Sequence, residues 1–184
     1  GGIDNDQIKM IGMMGIDGAK LIGTGSKIES DEVHSIGVAG IGTNGATDKT
    51  NVTLTNATVS MTAPKSVAIY NEHSKSTVTN STINTSGYNS ISVYNKSAEP
   101  LEITGSHINA SNGAIAFYPT KYTDNVDASN KYSDLSVINL SNTTTNIKDG
   151  GLFFYSYTNT LGHEKEILGK LKIKDGNKVE IGKE

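Results

Sequence analysis

The sequence predicts an all-β chain wound as a right-handed parallel β-helix, and three observations carry that expectation. First, a short motif recurs in which Gly or Asn is followed by a small residue, with a β-branched residue three places on: Gly25 with Ile28, Asn56 with Val59, Asn80 with Ile83, Gly105 with Ile108, and Asn142 with Thr145. Second, apolar side chains sit two and four places before it, at Val52 and Leu54, Val78, Leu101 and Ile103, and Ile138 and Leu140. Third, a further alternating run follows each motif: Ile36-Gly-Val38, Val67-Ala-Ile69, Ile91-Ser-Val93, Ile115-Ala-Phe117 and Leu152-Phe-Phe154, with an earlier copy at Ile11-Gly-Met13. Self-similarity at a fixed period is the mark of a solenoid.

Each repeat reads as a short strand, a bend, a second strand, a turn, a third strand and a loop. The period of two along each strand predicts one buried face. The bend falls on Gly or Asn because these residues tolerate the left-handed backbone region. Val59 to Ile83 and Ile83 to Ile108 give a repeat of roughly 24 residues, enough for three strands per coil. Ile28 to Val59 and Ile108 to Thr145 are longer, and the extra residues enter after the third strand. One coil cannot bury its inward face alone, whereas stacked coils can, each strand pairing with its equivalents above and below. Roughly five or six coils are expected, about 4.8 Å apart. Ile11, Ile36, Val67, Ile91, Ile115 and Leu152 are expected to form one internal ladder. A β-sandwich would also use short strands and turns, but it does not require the same residue class at the same phase of every repeat. Residues 1–184 read as one β-helix segment, with Gly1 and Gly2 resembling a cut end. Residues 164–184 are less regular and fit a bulged last coil or a hairpin turning at Asp175-Gly176.

Composition narrows the function classes. Apolar residues make up only 35% of the 184, but Ile, Val and Tyr recur in step, which disordered chains lack. The net charge is -3 and there is no Arg, so a nucleic-acid partner is not expected. No run approaches the ~18 apolar residues of a membrane span. There is no Cys, hence no disulfide and no thiolate metal site. The four His are scattered through unrelated phases of the repeat, and the acids Asp31, Glu32, Glu72, Glu99 and Glu102 fall mostly in loops. No catalytic residue, metal site or cofactor is expected.

Two features stand out as binding candidates. Tyr70, Tyr94, Tyr118 and Tyr155 each follow the third-strand run and are expected to point outward as an exposed aromatic ladder. Such a ladder serves either coil-to-coil stacking or recognition of a sugar or protein. The second is the set of long connections after those tyrosines. The longest, Pro119 to Asp134, carries Lys121, Tyr122, Lys131 and Tyr132. Length variation thus gathers on one edge of the rod, where solenoids often place their binding face.

"TNATV", "TNSTI" and "TGSHI", each followed by "VAIYN", "ISVYN" or "IAFYP", resemble the repeats of autotransporter passenger domains, the surface rods of type V secretion in Gram-negative bacteria. Among these, the likeness is to the large fusobacterial outer-membrane adhesins, over about residues 8 to 160. The resemblance implies adhesion: non-covalent binding of host receptors, glycans or other bacteria by a monomeric rod. It also implies a cell-surface location through a C-terminal outer-membrane barrel that this segment does not contain. No binding residue carries over, since passengers share no binding motif. Two alternatives remain: a structural spacer with binding elsewhere in a parent protein, and a polysaccharide-active β-helix enzyme.

Overall fold

The computed structural model describes residues 8–43, 50–120, 136–156 and 169–182. Their strands fall into successive coils of three. The first coil is β1 (Met10–Ile16), β2 (Lys20–Thr24) and β3 (Lys27–Ser30). The second is β4 (Ser35–Ile41), β5 (Thr50–Thr55) and β6 (Thr58–Met61). The third is β7 (Val67–Glu72), β8 (Ser74–Thr79) and β9 (Thr82–Ser86), and the fourth β10 (Ile91–Lys96), β11 (Leu101–Thr104) and β12 (His107–Ser111). Then come β13 (Ile115–Pro119), β14 (Ser136–Ser141) and β15 (Thr144–Ile147), and last β16 (Leu152–Phe154), β17 (Gly169–Ile173) and β18 (Lys178–Ile181). Every third strand joins the same sheet, giving three six-stranded sheets: β1-β4-β7-β10-β13-β16, β2 through β17, and β3 through β18. All pairings are parallel. The chain is therefore an all-β parallel solenoid. Among the described residues no helix is long and apolar enough to cross a membrane.

The core follows from the apolar columns of the sequence. Leu54, Val59, Val78, Ile83, Leu101, Ile103, Ile108, Ile138 and Leu140 converge from the second and third sheets, completely buried. Parallel pairing puts like on like: Val59 on Ile83, Ile83 on Ile108, Ile103 on Leu140.

The bend between the second and third sheets explains the recurring motif. Gly25, Asn56, Asn80, Gly105 and Asn142 all have positive φ, between 47° and 66°, as their residue types predict. The small residue that follows has its own task. Ala57 N–H donates to Ser81 Oγ at 3.1 Å, Ser81 N–H to Ser106 Oγ at 3.1 Å, and Ser106 N–H to Thr143 Oγ1 at 3.3 Å. Each hydroxyl also donates to the carbonyl two residues earlier, at Thr79, Thr104 or Ser141. Corner N–H groups buried away from water are thus satisfied by the coil above.

The last coil settles the alternatives for the tail. β17 pairs parallel with β14, and β18 with β15, so residues 169–182 form a coil and not a hairpin. Ile173 stacks on Leu140 and Val179 on Thr145. The one-residue mismatch is absorbed at the bend, where Lys174 N–H donates to Leu140 O and Gly176 takes φ 73°. Asn177 occupies the small-residue column there, and its Oδ1 accepts from Thr143 N–H at 3.0 Å.

One expected ladder faces the other way. Ile36, Val67, Ile91, Ile115 and Leu152 do stack one coil apart. They are not in the central core. Ile36, Val67 and Ile91 belong to a separate apolar cluster made only of first-sheet side chains and their N-terminal neighbour Ile8, with Ile11 and Ile115 packed against it. The reason lies at the next position. Gly37, Ala68, Ser92 and Ala116 are skipped in the pairing register of every coil. Gly37 points inward: a Cβ there would lie 2.6 Å from Val59 Cγ1 and 2.7 Å from the Ala68 carbonyl oxygen. The backbone therefore turns at this position in every coil alike, and two successive residues, such as Ala68 and Ile69, reach the core cluster. Strict alternation fails, so the residue before this turn faces outward.

Candidate functional site

The outer face of the first sheet differs from the other two. The second and third sheets carry Thr, Ser, Asn, Lys and Glu outward, including an amide ladder in which Asn109 Nδ2 donates to Asn84 Oδ1 and Asn146 Nδ2 to Asn109 Oδ1, each at 2.8 Å. The first sheet instead carries the row of Ile36, Val67 and Ile91 and, three residues on, the row of Ala39, Tyr70, Tyr94 and Tyr118. Tyr70 and Tyr94 stack with centroids 4.9 Å apart and planes 16° from parallel. Tyr94 and Tyr118 are tilted at 5.4 Å, and Tyr118 and Tyr155 at 5.1 Å.

The tyrosines thus form the expected ladder on the expected face, but they are not the expected exposed strip. Tyr70, Tyr94 and Tyr118 are 4%, 3% and 4% exposed; Tyr155 alone, at 38%, meets solvent. Their flanking row of Ile and Val makes this face a second apolar cluster, in which a ring packs on both sides. Burial pushes the Tyr70 hydroxyl well above its ordinary titration range, and the nearby Glu72 carboxylate raises it further. Glu72 and Lys96 stack in the next outward row, Lys96 Nζ lying 3.4 Å from Glu72 Oε1, both half-buried. That pair bounds the tyrosine ladder on the side where the chain leaves for the second sheet.

The corner beyond it is built from side chains. Asn71 Nδ2 donates to Ser74 O at 2.8 Å and to Asn95 Oδ1 at 2.7 Å, while the Ser74 and Ser76 hydroxyls donate to Asn71 Oδ1. Asn95 Nδ2 donates to Val137 O at 2.9 Å, and Ser136 Oγ donates to Asn95 O at 2.8 Å. This "YN" asparagine is buried and fully used. The sequence showed it in "VAIYN" and "ISVYN", and its signal was its place directly after the tyrosine.

The connections that leave this corner vary in length as expected. His73 alone joins β7 to β8, whereas residues 120–135 separate β13 from β14 and residues 155–168 separate β16 from β17. The bends from the second to the third sheet hold two residues in each of the first five coils. Lys121, Tyr122, Lys131 and Tyr132 lie outside the described residues. Tyr118 sits at the take-off of that connection, one residue before Pro119.

Among the described residues no group of three or more His, Asp or Glu is placed to hold a metal ion. Comparison with protein-family models, with curated proteins and with solved structures gave no match.

Proposed function

We propose that this chain is a segment of a bacterial surface adhesin of the autotransporter passenger kind, a rigid rod displayed outside the cell. Recognition of a host or bacterial surface protein or glycan is assigned to the edge where the first sheet hands over to the second. One observation carries this: among the described residues two bends of each coil hold five residues or fewer, while the third accepts connections from one residue to more than a dozen. Loop closure costs grow only with the logarithm of length, so this edge takes insertions at small cost. Paired Lys-Tyr dipeptides at 121–122 and 131–132 supply rigid aromatic anchors beside positive charge.

The burial of Tyr70, Tyr94 and Tyr118 favours a second reading for the ladder itself, as a spacer element that holds coils together. Replacing residues 120–134 with Asn-Lys-Ser separates the two. Under the adhesin reading, circular dichroism stays β-type and affinity for intact host or partner cells falls at least tenfold, about 1.4 kcal/mol. A spacer binds in neither form. Unchanged affinity with an intact spectrum removes this edge as the site.

A further inference from the structure

The outer face of the second sheet places Glu102, Asn139 and Lys172 on three successive coils in one column. Glu102 pairs with Asn139 across β11 and β14, and Asn139 with Lys172 across β14 and β17. Asn139 is only 7% exposed. Its Nδ2 donates to Glu102 Oε1 at 2.8 Å, and its Oδ1 is buried with no hydrogen-bond partner. A buried amide carbonyl without a donor is unusual, since buried polar atoms are paired as a rule. Here it belongs to a carboxamide with an amine-bearing side chain one rung above and a carboxylate one rung below. Lys172 forms no ion pair among the described residues.

We propose that this column is a self-modifying site, at which Lys172 and Asn139 join through an intramolecular isopeptide bond with Glu102 as the proton-transfer catalyst. Lys172 reacts as the free amine, having given one proton to solvent. Its Nζ attacks Asn139 Cγ, and the Glu102 carboxylate takes a second proton from Nζ. Glu102 then returns that proton to Nδ2, to which it is already hydrogen-bonded. The Cγ–Nδ2 bond breaks, ammonia leaves, and a secondary amide remains between Nζ and Cγ. No oxidant, reductant or further reactant is consumed. The reaction is assisted by proximity, because adjacent rungs hold amine and amide about 4.8 Å apart at the backbone and the flexible Lys stem spans the rest.

The product would tie β17 to β14 covalently, across the long connection of residues 155–168. A solenoid holds each coil only through its neighbours, so a clamp at this step resists peeling of the sixth coil from the fifth.

The test is the intact mass of the purified full chain, followed by peptide mapping. The expected mass is lower by one ammonia, with a branched peptide joining residues 139 and 172. Lys172→Arg and Glu102→Gln should each restore the full mass with an unchanged β-spectrum, since both positions lie on the outer face. Full mass in the unsubstituted chain after prolonged incubation overturns the proposal. So does an ammonia loss that persists in Lys172→Arg, because that assigns it to imide formation at an Asn-Gly step such as Asn112-Gly113.

Discussion

Tyr94→Ala separates a structural tyrosine ladder from a binding strip. Tyr94 is 3% exposed and sits between two rings, 4.9 Å from Tyr70 and 5.4 Å from Tyr118. Truncating a buried aromatic side chain to Ala costs about 3–5 kcal/mol, a figure that includes the cavity left behind. The two ring contacts, each worth about 0.5–1.5 kcal/mol, place this site toward the upper part of that range. For a chain of this size each kcal/mol shifts the melting temperature by about 2–4 °C, so a fall of roughly 6–20 °C is expected. Tyr155→Ala is the internal control. It removes one ring contact at 5.1 Å from a residue already 38% exposed, and its loss should be less than half as large. Scanning calorimetry reads the melting temperatures, and near-ultraviolet circular dichroism reports the ring packing. Equal, small shifts for both variants would refute the second apolar cluster and restore the tyrosines as a free surface strip.

Two further perturbations test other layers of the fold. Ser106→Ala leaves the buried Ser81 N–H without its acceptor and should cost about 1–3 kcal/mol in denaturant unfolding, whereas Ser106→Thr, copying Thr143 of the next coil, should stay within about 1 kcal/mol; equal losses would show that the hydroxyl column does not close the bend. Tyr70 carries a hydroxyl whose folded-state pKa is raised above its unfolded value of 10.0, so its neutral form stabilises the fold fully below pH 10, and stability should fall as pH rises above it by about 1.4 kcal/mol per unit, because the unfolded chain loses the proton first. Tyr70→Phe should flatten that alkaline slope in equilibrium unfolding, and an unaltered slope would count against burial of the hydroxyl.

The bends were legible in the sequence because backbone conformation leaves a direct mark on residue type: only Gly and Asn occupy the positive-φ column from Gly25 to Asn142. Parallel stacking was legible for a similar reason, since like residues at one phase become neighbours. The facing of the first sheet was not. Its "I-x-I/V" runs satisfy a period of two, yet the unpaired position at Gly37, Ala68, Ser92 and Ala116 shifts the parity within the strand. The trace of that shift was the smallness of x, which a cramped inward site demands and an outward site does not. Phe153 obscures the pattern because it stands at the same position in the sixth coil, edge-on to Phe117 at 5.4 Å. The burial of the tyrosines depends on contacts made across this outer face, and no periodicity within one strand encodes those. The long connection bearing Lys121, Tyr122, Lys131 and Tyr132 offers no repeat to align, so the sequence shows its place and chemistry but not its shape.

The variable edge and the fixed corners have one physical origin. At the bend between the second and third sheets, the N–H groups of Ala57, Ser81 and Ser106 each depend on a hydroxyl at the same position of the next coil, so an insertion there would break two coils at once. At the variable edge, the corner is closed through the asparagine column, to which the connection adds single bonds such as Ser97 Oγ donating to Ser74 O at 2.7 Å. Asn71 reaches forward to Ser74 of its own coil and across to Asn95. Asn95 is bonded in turn to Val137 and Ser136, on the far side of residues 120–135. The fifth coil has Pro119 in the asparagine column, with no side-chain donor to close its corner, yet β14 is already anchored from below by Asn95. A connection of any length can therefore leave after Pro119 and return at Ser136 without disturbing the ladder. The same amide that fixes the rod frees its edge to vary, which is the property a scaffold for changing recognition loops requires.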